Sequence, residues 1–481
     1  MTSLVENRPA SVRNTTAVVL NKIVFVLLLS VLAVTVIPYG TVDMWWEAVF
    51  ECLVFGITAL WLLEVVLRGS WDIRGLSLLI PLVLISGYAF LQIVHWPVHL
   101  GFPTPQSTIT IDRYQTYLTA RKMLALTLYF GLLWCHISSD GRLRWLVRTV
   151  IALGVGSSLF AFTRQLMQSA DSQVGFGLPF LFYGLGYGQF IYHNLFAYLM
   201  EMTFGLIVGL TIGGGVKKDR ILIYAALAVV VWASLILSSS RGGVMGFICE
   251  SILLVFISLG WYFRRRLAPD ISHTSWIGLA QQSKLTRIGV VLVMVAVLAV
   301  GVLWVGGEGF SGRLSEGITT EDTMDHLTRT AVWHSTWQLI KTHPLTGVGF
   351  GVYSLAITQF QTGAGRFKLE QAHNDYLDLL ANGGFIAAVL AIWFMVSVVI
   401  KTRNAFRSKD RFRRAAALGA ISGVLALLVH SLVDFGLQVT GIATVFAALI
   451  VISTADKRVD AALNENRKII QEVKRSNPRP V

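Results

Sequence analysis

The chain alternates between long apolar runs and short polar breaks from one end to the other. Runs close to or above the roughly 20 residues that span a bilayer as a helix fall at approximately 18–37, 46–67, 75–96, 121–137, 145–163, 190–213, 221–238, 242–263, 288–306, 377–400, 415–433 and 437–454. This pattern predicts an all-α polytopic membrane protein with about twelve transmembrane helices. A membrane barrel would instead show short segments of alternating polarity. One break is long, from Gly306 to Ala372. Within it, Arg329 to Ile340 has helical periodicity with Trp333, Trp337 and Ile340 on one face. His343-Pro344-Leu345 ends that helix, and Gly347, Gly349 and Gly351 shape a turn. The long break is therefore expected to be folded, as a helical cap on the membrane.

Composition sharpens the class. Of 481 residues, 54% are hydrophobic and 14% charged, and mean hydropathy is +0.64. A soluble protein would carry about 25% charged residues. Arg8, Arg13 and Lys22 precede the run from Ile23 to Ile37, and no small-x-small cleavage pattern follows. That run reads as an uncleaved first span. Cys52, Cys135 and Cys249 lie in apolar segments without metal-ligand spacing and read as small packing residues.

The net charge of +13 is a topology signal. With the N-terminus in the cytoplasm, about 30 of the 40 Lys and Arg fall inside, as the positive-inside rule requires. Segments such as Arg68 to Arg74, Lys217 to Arg220, Arg264 to Arg266, Lys401 to Arg414 and the basic tail 456–481 then face the cytoplasm and anionic lipid headgroups. This distribution argues against a nucleic-acid footprint. Three external regions follow: Pro97 to about Ala120, the Gly- and aromatic-rich Arg164 to Gln189 (Phe176, Phe180, Phe182, Tyr183, Tyr187), and the long break.

Polar groups gather at these external breaks. Gln371-Ala372-His373-Asn374-Asp375-Tyr376-Leu377 opens the tenth span, and polar groups beside hydrocarbon must be paired or hydrated. A helix N-terminus disfavours imidazolium, so a neutral His373 can take a proton from a hydroxyl, with Asp375 or Asn374 as its orienting partner. Ser238-Ser239-Ser240-Arg241-Gly242-Gly243 makes a tight turn that sets Arg241 beside a helix start, an arrangement suited to phosphate or diphosphate. Tyr192-His193-Asn194 begins the sixth span on the same side. Each motif also has a purely structural reading, as a helix cap or a snorkelling side chain. Glu201 and Glu250 lie within spans and need a partner or a wet cavity; they read as packing or network groups. His430-Ser431-Leu432-Val433-Asp434-Phe435 ends the eleventh span and reads as support for the same cavity. No P-loop, dinucleotide fingerprint or metal-ligand pattern is present in the sequence. Chemistry, if any, would draw on an activated substrate.

In order and spacing these motifs resemble the O-antigen ligase and polymerase superfamily of bacterial envelope glycosyltransferases. The resemblance covers roughly residues 185–440. It is carried by Asn194, Phe196, Ala197, Glu201 and Met202; by Ser239-Ser240-Arg241-Gly242-Gly243; by Arg329, Trp333 and His343 to Gly349; by His373-Asn374-Asp375-Tyr376-Leu377; and by His430 to Phe435. It implies a C-type glycosyltransferase architecture, with glycan taken from an undecaprenyl-diphosphate-linked donor without metal, nucleotide or other cofactor. The matched positions imply that Arg241 grips the diphosphate, His373 is the base, and Arg329 is a further anion or glycan contact. Many family members carry Arg where this chain has His193, so the second cationic place falls to His193 or Arg164.

The expected organisation is N-terminal transmembrane helices over 1–185, a catalytic membrane domain over 186–455 with its external loop at 306–376, and a cytoplasmic tail over 456–481. Expected partners are the lipid-linked donor, an acceptor hydroxyl on lipid A core or a second lipid-linked glycan, membrane lipids and polysaccharide-assembly proteins. Expected substrate contacts are Arg329, His193, Asn194, Arg164, Asn374, Asp375 and Tyr376. The competing readings are a flippase for lipid-linked glycan, which does no chemistry, and a scaffold of an envelope-polymer complex.

Overall fold

The computed structural model describes residues 7–70, 76–96, 108–137, 139–167, 187–266, 329–361 and 368–455. Among these residues the protein is helical, without strands. The helices are α1 (Asn7–Val36), α2 (Met44–Arg68), α3 (Leu76–Leu91), α4 (Arg113–His136), α5 (Asp140–Met167), α6 (His193–Ile212), α7 (Ile221–Leu237), α8 (Arg241–Arg266), α9 (Arg329–Thr342), α10 (Asp375–Phe406), α11 (Arg411–His430) and α12 (Thr440–Thr454).

Among the described residues, seven segments are long and apolar enough to cross a membrane: Thr15–Val36, Met44–Arg68, Asp140–Leu166, His193–Ile212, Lys218–Leu237, Asp375–Phe406 and Arg411–His430. Leu76–Leu91 and Thr440–Thr454 are apolar but shorter. Helices also stand at the fourth and eighth predicted spans. The ninth, 288–306, lies outside the described residues, as do the tail 456–481 and Phe176, Phe180, Phe182 and Tyr183. The external segment predicted to reach Ala120 ends sooner. Asp112 accepts from the N–H groups of Tyr114 and Gln115 (2.9 and 3.1 Å) and starts α4 at Arg113.

The centre of the bundle is α6 against α11. Of their most apolar stretches 78% and 72% are buried, against 22% for the segment containing α7, which is therefore peripheral. Small residues bring the two central backbones together: a methyl group added at Gly209 would lie 2.2 Å from Gly419 Cα, and one at Gly205 would lie 2.8 Å from Gly423 N. This is the small-residue packing that membrane helices use where hydrophobicity supplies no drive to associate. The core is continuous from Val24 and Leu28 of α1 through Tyr198 and Leu206 of α6 to Ile450 of α12. Thr35 and Thr444 share a hydrogen bond of 2.8 Å across it.

Two departures from helical regularity position the site. Gly384, inside α10, has φ 61° and ψ −163°, which interrupts the helix. The segment 344–349 fills the interruption: Val348 N–H donates to Ala381 O (2.9 Å), Gly349 N–H to Asn382 O (3.0 Å) and Phe385 N–H to Pro344 O (2.9 Å). Gln92 Nε2 adds bonds to Thr346 O (3.0 Å) and Asn382 O (3.1 Å). Backbone groups freed inside a membrane protein must be satisfied by protein in this way. The glycine-rich segment thus ties the cap to the start of α10.

Helix α9 forms where predicted, but of Trp333, Trp337 and Ile340 one, Trp337, stays exposed. Val332, Thr336, Leu339 and Ile340 are buried. The reason is the partner: Leu339 and Ile340 pack on Val348, Val352, Tyr353 and Ile357, and Thr336 Oγ1 meets Tyr353 Oη at 2.7 Å.

Candidate functional site

A cavity of about 190 Å³ lies at one end of the bundle, lined by His193, Asn194, Ser239, Arg241, Gly242, Arg329, His430 and Val433. It opens where α6 and α8 begin, at His193 and Arg241. Unsatisfied N–H groups and the positive end of the dipole at two helix starts favour an anion there.

The turn before α8 fixes Arg241. Ser239 adopts φ 58°, a left-handed conformation uncommon for a residue with a side chain. Ser240 Oγ then accepts from Gly243 N–H (3.1 Å), capping α8. Arg329 is set by its own helix: Trp333, one turn further along α9, packs with Met245, Cys249, Val429 and Val433. That contact holds the start of α9 against α8 and α11. Asn194 Nδ2 donates to Tyr192 Oη (2.7 Å), and the Tyr192 ring stacks on Phe435.

The cluster Asn374-Asp375-Tyr376 is a staple. Asn374 Oδ1 caps α10 by accepting from Tyr376 and Leu377 N–H (both 3.0 Å), while its Nδ2 donates to Leu432 O (2.7 Å). Asp375 accepts from Ser431 Oγ (2.7 Å) and Leu437 N–H (3.1 Å). Tyr376 Oη donates to Leu428 O (2.7 Å). Together they bind α10 to the last turn of α11 and to the corner that follows it.

The staple leaves His373 at φ 48°, again left-handed, with Nδ1 3.5 Å from Asp434 Oδ1 and its ring against Phe435. The carboxylate beside His373 is therefore Asp434, not Asp375 or Asn374. Those two are directed to the corner because a helix start needs its cap and anchor. Asp434 is almost fully buried. Burial alone would raise its carboxyl, but the His373 imidazole and the positive charges nearby, Arg329 included, outweigh that and hold it below the ordinary aspartate value.

His430 joins the cavity from behind. Its Nδ1 lies 2.7 Å from Glu201 Oε1, its ring stacks on Tyr198, and its Nε2 faces Ser240 Oγ (3.5 Å) and Asp434 Oδ2 (3.9 Å). Glycines of α8 make room for this pair. A methyl group at Gly242 would lie 2.3 Å from His430 Cδ2, and one at Gly246 would lie 2.7 Å from Glu201 Oε2.

Of the residues singled out from the sequence, Arg241, Arg329, His193, Asn194 and His430 line one cavity; His373 does not line it and stands behind it, beside Asp434, which in turn faces His430. Arg164 does not line it; its guanidinium is buried and donates to Gly188 O. The direct partnership of Asp434 with His373 and of Glu201 with His430 escaped the sequence reading. The available signal was four ionisable residues at or within apolar spans, each of which needs a partner. Among the described residues no three His, Cys, Asp or Glu converge as metal ligands would.

The family model described as O-antigen ligase matches residues 226–392. The match runs from within α7 to within α10, and so holds Arg241, Arg329 and His373, while α6 and α11 flank it. Comparison of the chain with curated proteins gives no match. Residues 226–392 are thus similar to the O-antigen ligase family, in a chain whose apolar helices point to a multi-pass membrane protein.

Proposed function

We propose that this protein is a membrane glycosyltransferase that moves glycan from an undecaprenyl-diphosphate-linked donor to a hydroxyl acceptor at the external face of the inner membrane. The observation that supports this reading is one cavity lined by Arg241, Arg329, His193, Asn194 and His430, with His373 connected to it through Asp434 and His430. The Lys and Arg bias of the sequence supports an external position for these helix ends. The catalytic unit is residues 186–455, and α1 to α5 pack beside it.

In this reading Arg241 and Arg329 hold the donor diphosphate, with His193 as the third cationic neighbour. The acceptor hydroxyl gives its proton to His373 Nε2 while its oxygen bonds to the anomeric carbon. The bond from that carbon to the diphosphate breaks, and its electron pair stays with the phosphate oxygen. Negative charge grows there as the bond breaks, so the arginines stabilise the transition state more than the bound donor. Asn374, Asp375 and Tyr376 act by holding His373 in place, and Arg164 by fixing the Gly188 turn before α6.

One observation favours a flippase, since broken helices line transporter sites and α10 is interrupted at Gly384. The groups freed at that break are bonded to residues 344–349, which favours transfer.

The test is transfer from lipid-linked glycan by the purified protein in lipid. Arg241→Ala and His373→Ala are expected to abolish product while leaving the protein folded and inserted. Retained activity in either overturns the assignments. A deletion strain is expected to accumulate unligated lipid-linked glycan facing outward; accumulation facing the cytoplasm would favour the flippase. The glycan attached to lipid A core or to a further lipid-linked repeat in the parent strain separates ligase from polymerase.

A further inference from the structure

Glu201 and His430 have no part in the mechanism above, yet both are completely buried and directly paired. A buried carboxylate is tolerated when a proton is shared with its partner, because an unpaired charge among apolar helices is costly. Glu250 lies nearby with neither oxygen hydrogen-bonded among the described residues, which makes a second bare charge still less favourable. The Glu201–His430 pair therefore holds one proton between the Glu201 oxygen and His430 Nδ1. Whether that proton sits on oxygen or on nitrogen, electroneutrality of the pair leaves a hydrogen on His430 Nε2.

The acceptors nearest that hydrogen are Ser240 Oγ at 3.5 Å, the limit of a hydrogen bond, and Asp434 Oδ2 at 3.9 Å, an ion-pair separation. Asp434 Oδ2 and His373 Nδ1 are both buried without a hydrogen-bond partner among the described residues. Asp434 Oδ1 accepts from Phe435 N–H (3.0 Å) and faces His373 Nδ1 (3.5 Å). Separations of this length are ordinary for a site without its substrates and tighten on binding.

We propose that Glu201 and His430 are positioning residues for the transfer reaction. With Asp434 they form a chain of donors and acceptors of fixed direction that ends on His373. Glu201 sets His430, His430 Nε2–H anchors Asp434 Oδ2, and Asp434 Oδ1 takes the His373 Nδ1 hydrogen. The His373 Nε2 lone pair is then the one left for the acceptor hydroxyl. Fixing a tautomer through the second ring nitrogen is the general means by which histidine bases are oriented. This inference rests on the reading of His373 as base.

The charged and titratable groups facing the chain are Glu250 and Cys249 from α8, Tyr198 and His193 from α6, Arg329 from α9 and Asp375 from α10. None of them offers Asp434 Oδ2 a hydrogen bond.

The test uses the full-length protein in lipid, with undecaprenyl-diphosphate-linked glycan as donor. Glu201→Met is expected to lower kcat about 10- to 100-fold, in the range of a lost general-base contribution, with the donor KM within about twofold because the arginines are untouched. The acidic limb of its pH–rate profile moves to lower pH, since a proton on His373 loses its oriented carboxylate. Glu201→Gln keeps more activity than Glu201→Met, because its amide N–H can bond Nδ1 and keep the hydrogen on Nε2. Asp434→Asn, close in shape to the parent, gives the same shift of the acidic limb, so the inference is tested even if Glu201→Met fails to insert. Unchanged kcat and pH profile in Glu201→Met or Asp434→Asn overturns it, as does a KM that rises in step with the fall in kcat. If His373→Ala is inactive while those variants are fully active, this inference alone fails. If His373→Ala is active, the reading of the base fails with it.

Discussion

Asp434 Oδ1 stands 3.5 Å from His373 Nδ1, a contact between the corner after α11 and the residue before the cap of α10. It is also a stability link with a definite pH sign. The folded carboxyl is held below its ordinary value, about 3.9 in an unfolded chain. The contribution is therefore fully present above that value and is lost as pH falls through the folded value. Thermal melts between about pH 7 and 3 should fall more steeply at the acid end for the parent than for Asp434→Asn. Parallel curves would show that the link carries no stability.

The close approach of Gly242 to the His430 ring gives a second prediction. A methyl at 2.3 Å from Cδ2 forces either the ring or the turn carrying Arg241 to move. Gly242→Ala should insert normally and lose transfer by at least about tenfold, as a displacement on the order of 1 Å at a reacting group can cost more than that. Transfer at the parent rate would mean that this packing does not set the arginine.

At the centre of the bundle, Gly209 against Gly419 Cα leaves no room for a side chain. Gly209→Leu should destabilise the folded protein by about 1–3 kcal/mol or more, the usual range for overpacking. A melting temperature in detergent equal to the parent's would refute the close packing of α6 on α11.

His373 is held left-handed, at a cost of about 1–2 kcal/mol for a residue with a side chain. His373→Gly removes that cost but adds glycine's entropy, about 0.5–1 kcal/mol. The conformational balance favours glycine by on the order of 0–1.5 kcal/mol, and the lost contact with Asp434 offsets it, so the variant should melt close to the parent while losing transfer. Added imidazole should restore part of the rate. A large drop in melting temperature would show that the imidazole holds the fold.

Much of the protein is legible in its hydropathy. Apolar runs such as 190–213 and 415–433 became α6 and α11 because spanning a bilayer is a local property of about 20 residues. The helix starts at His193, Arg241 and Asp375 were equally readable, since polar groups at the ends of apolar runs have few other places to go. The buried face of α9 was not, because Trp337 and Leu339 are both apolar and only the partner segment 348–357 selects between them.

By itself, then, the sequence determined a polytopic helical protein whose cations, imidazoles and carboxylates collect at one set of helix ends. Tertiary structure decided the pairings: Asp434 rather than Asp375 with His373, Glu201 with His430, and Arg164 away from the cavity that Arg241 and Arg329 share. The physical reason is that hydropathy and capping act over a few residues. Which side chains meet across helices is set by how closely backbones such as those at Gly209 and Gly419 pack, and no local pattern carries that distance.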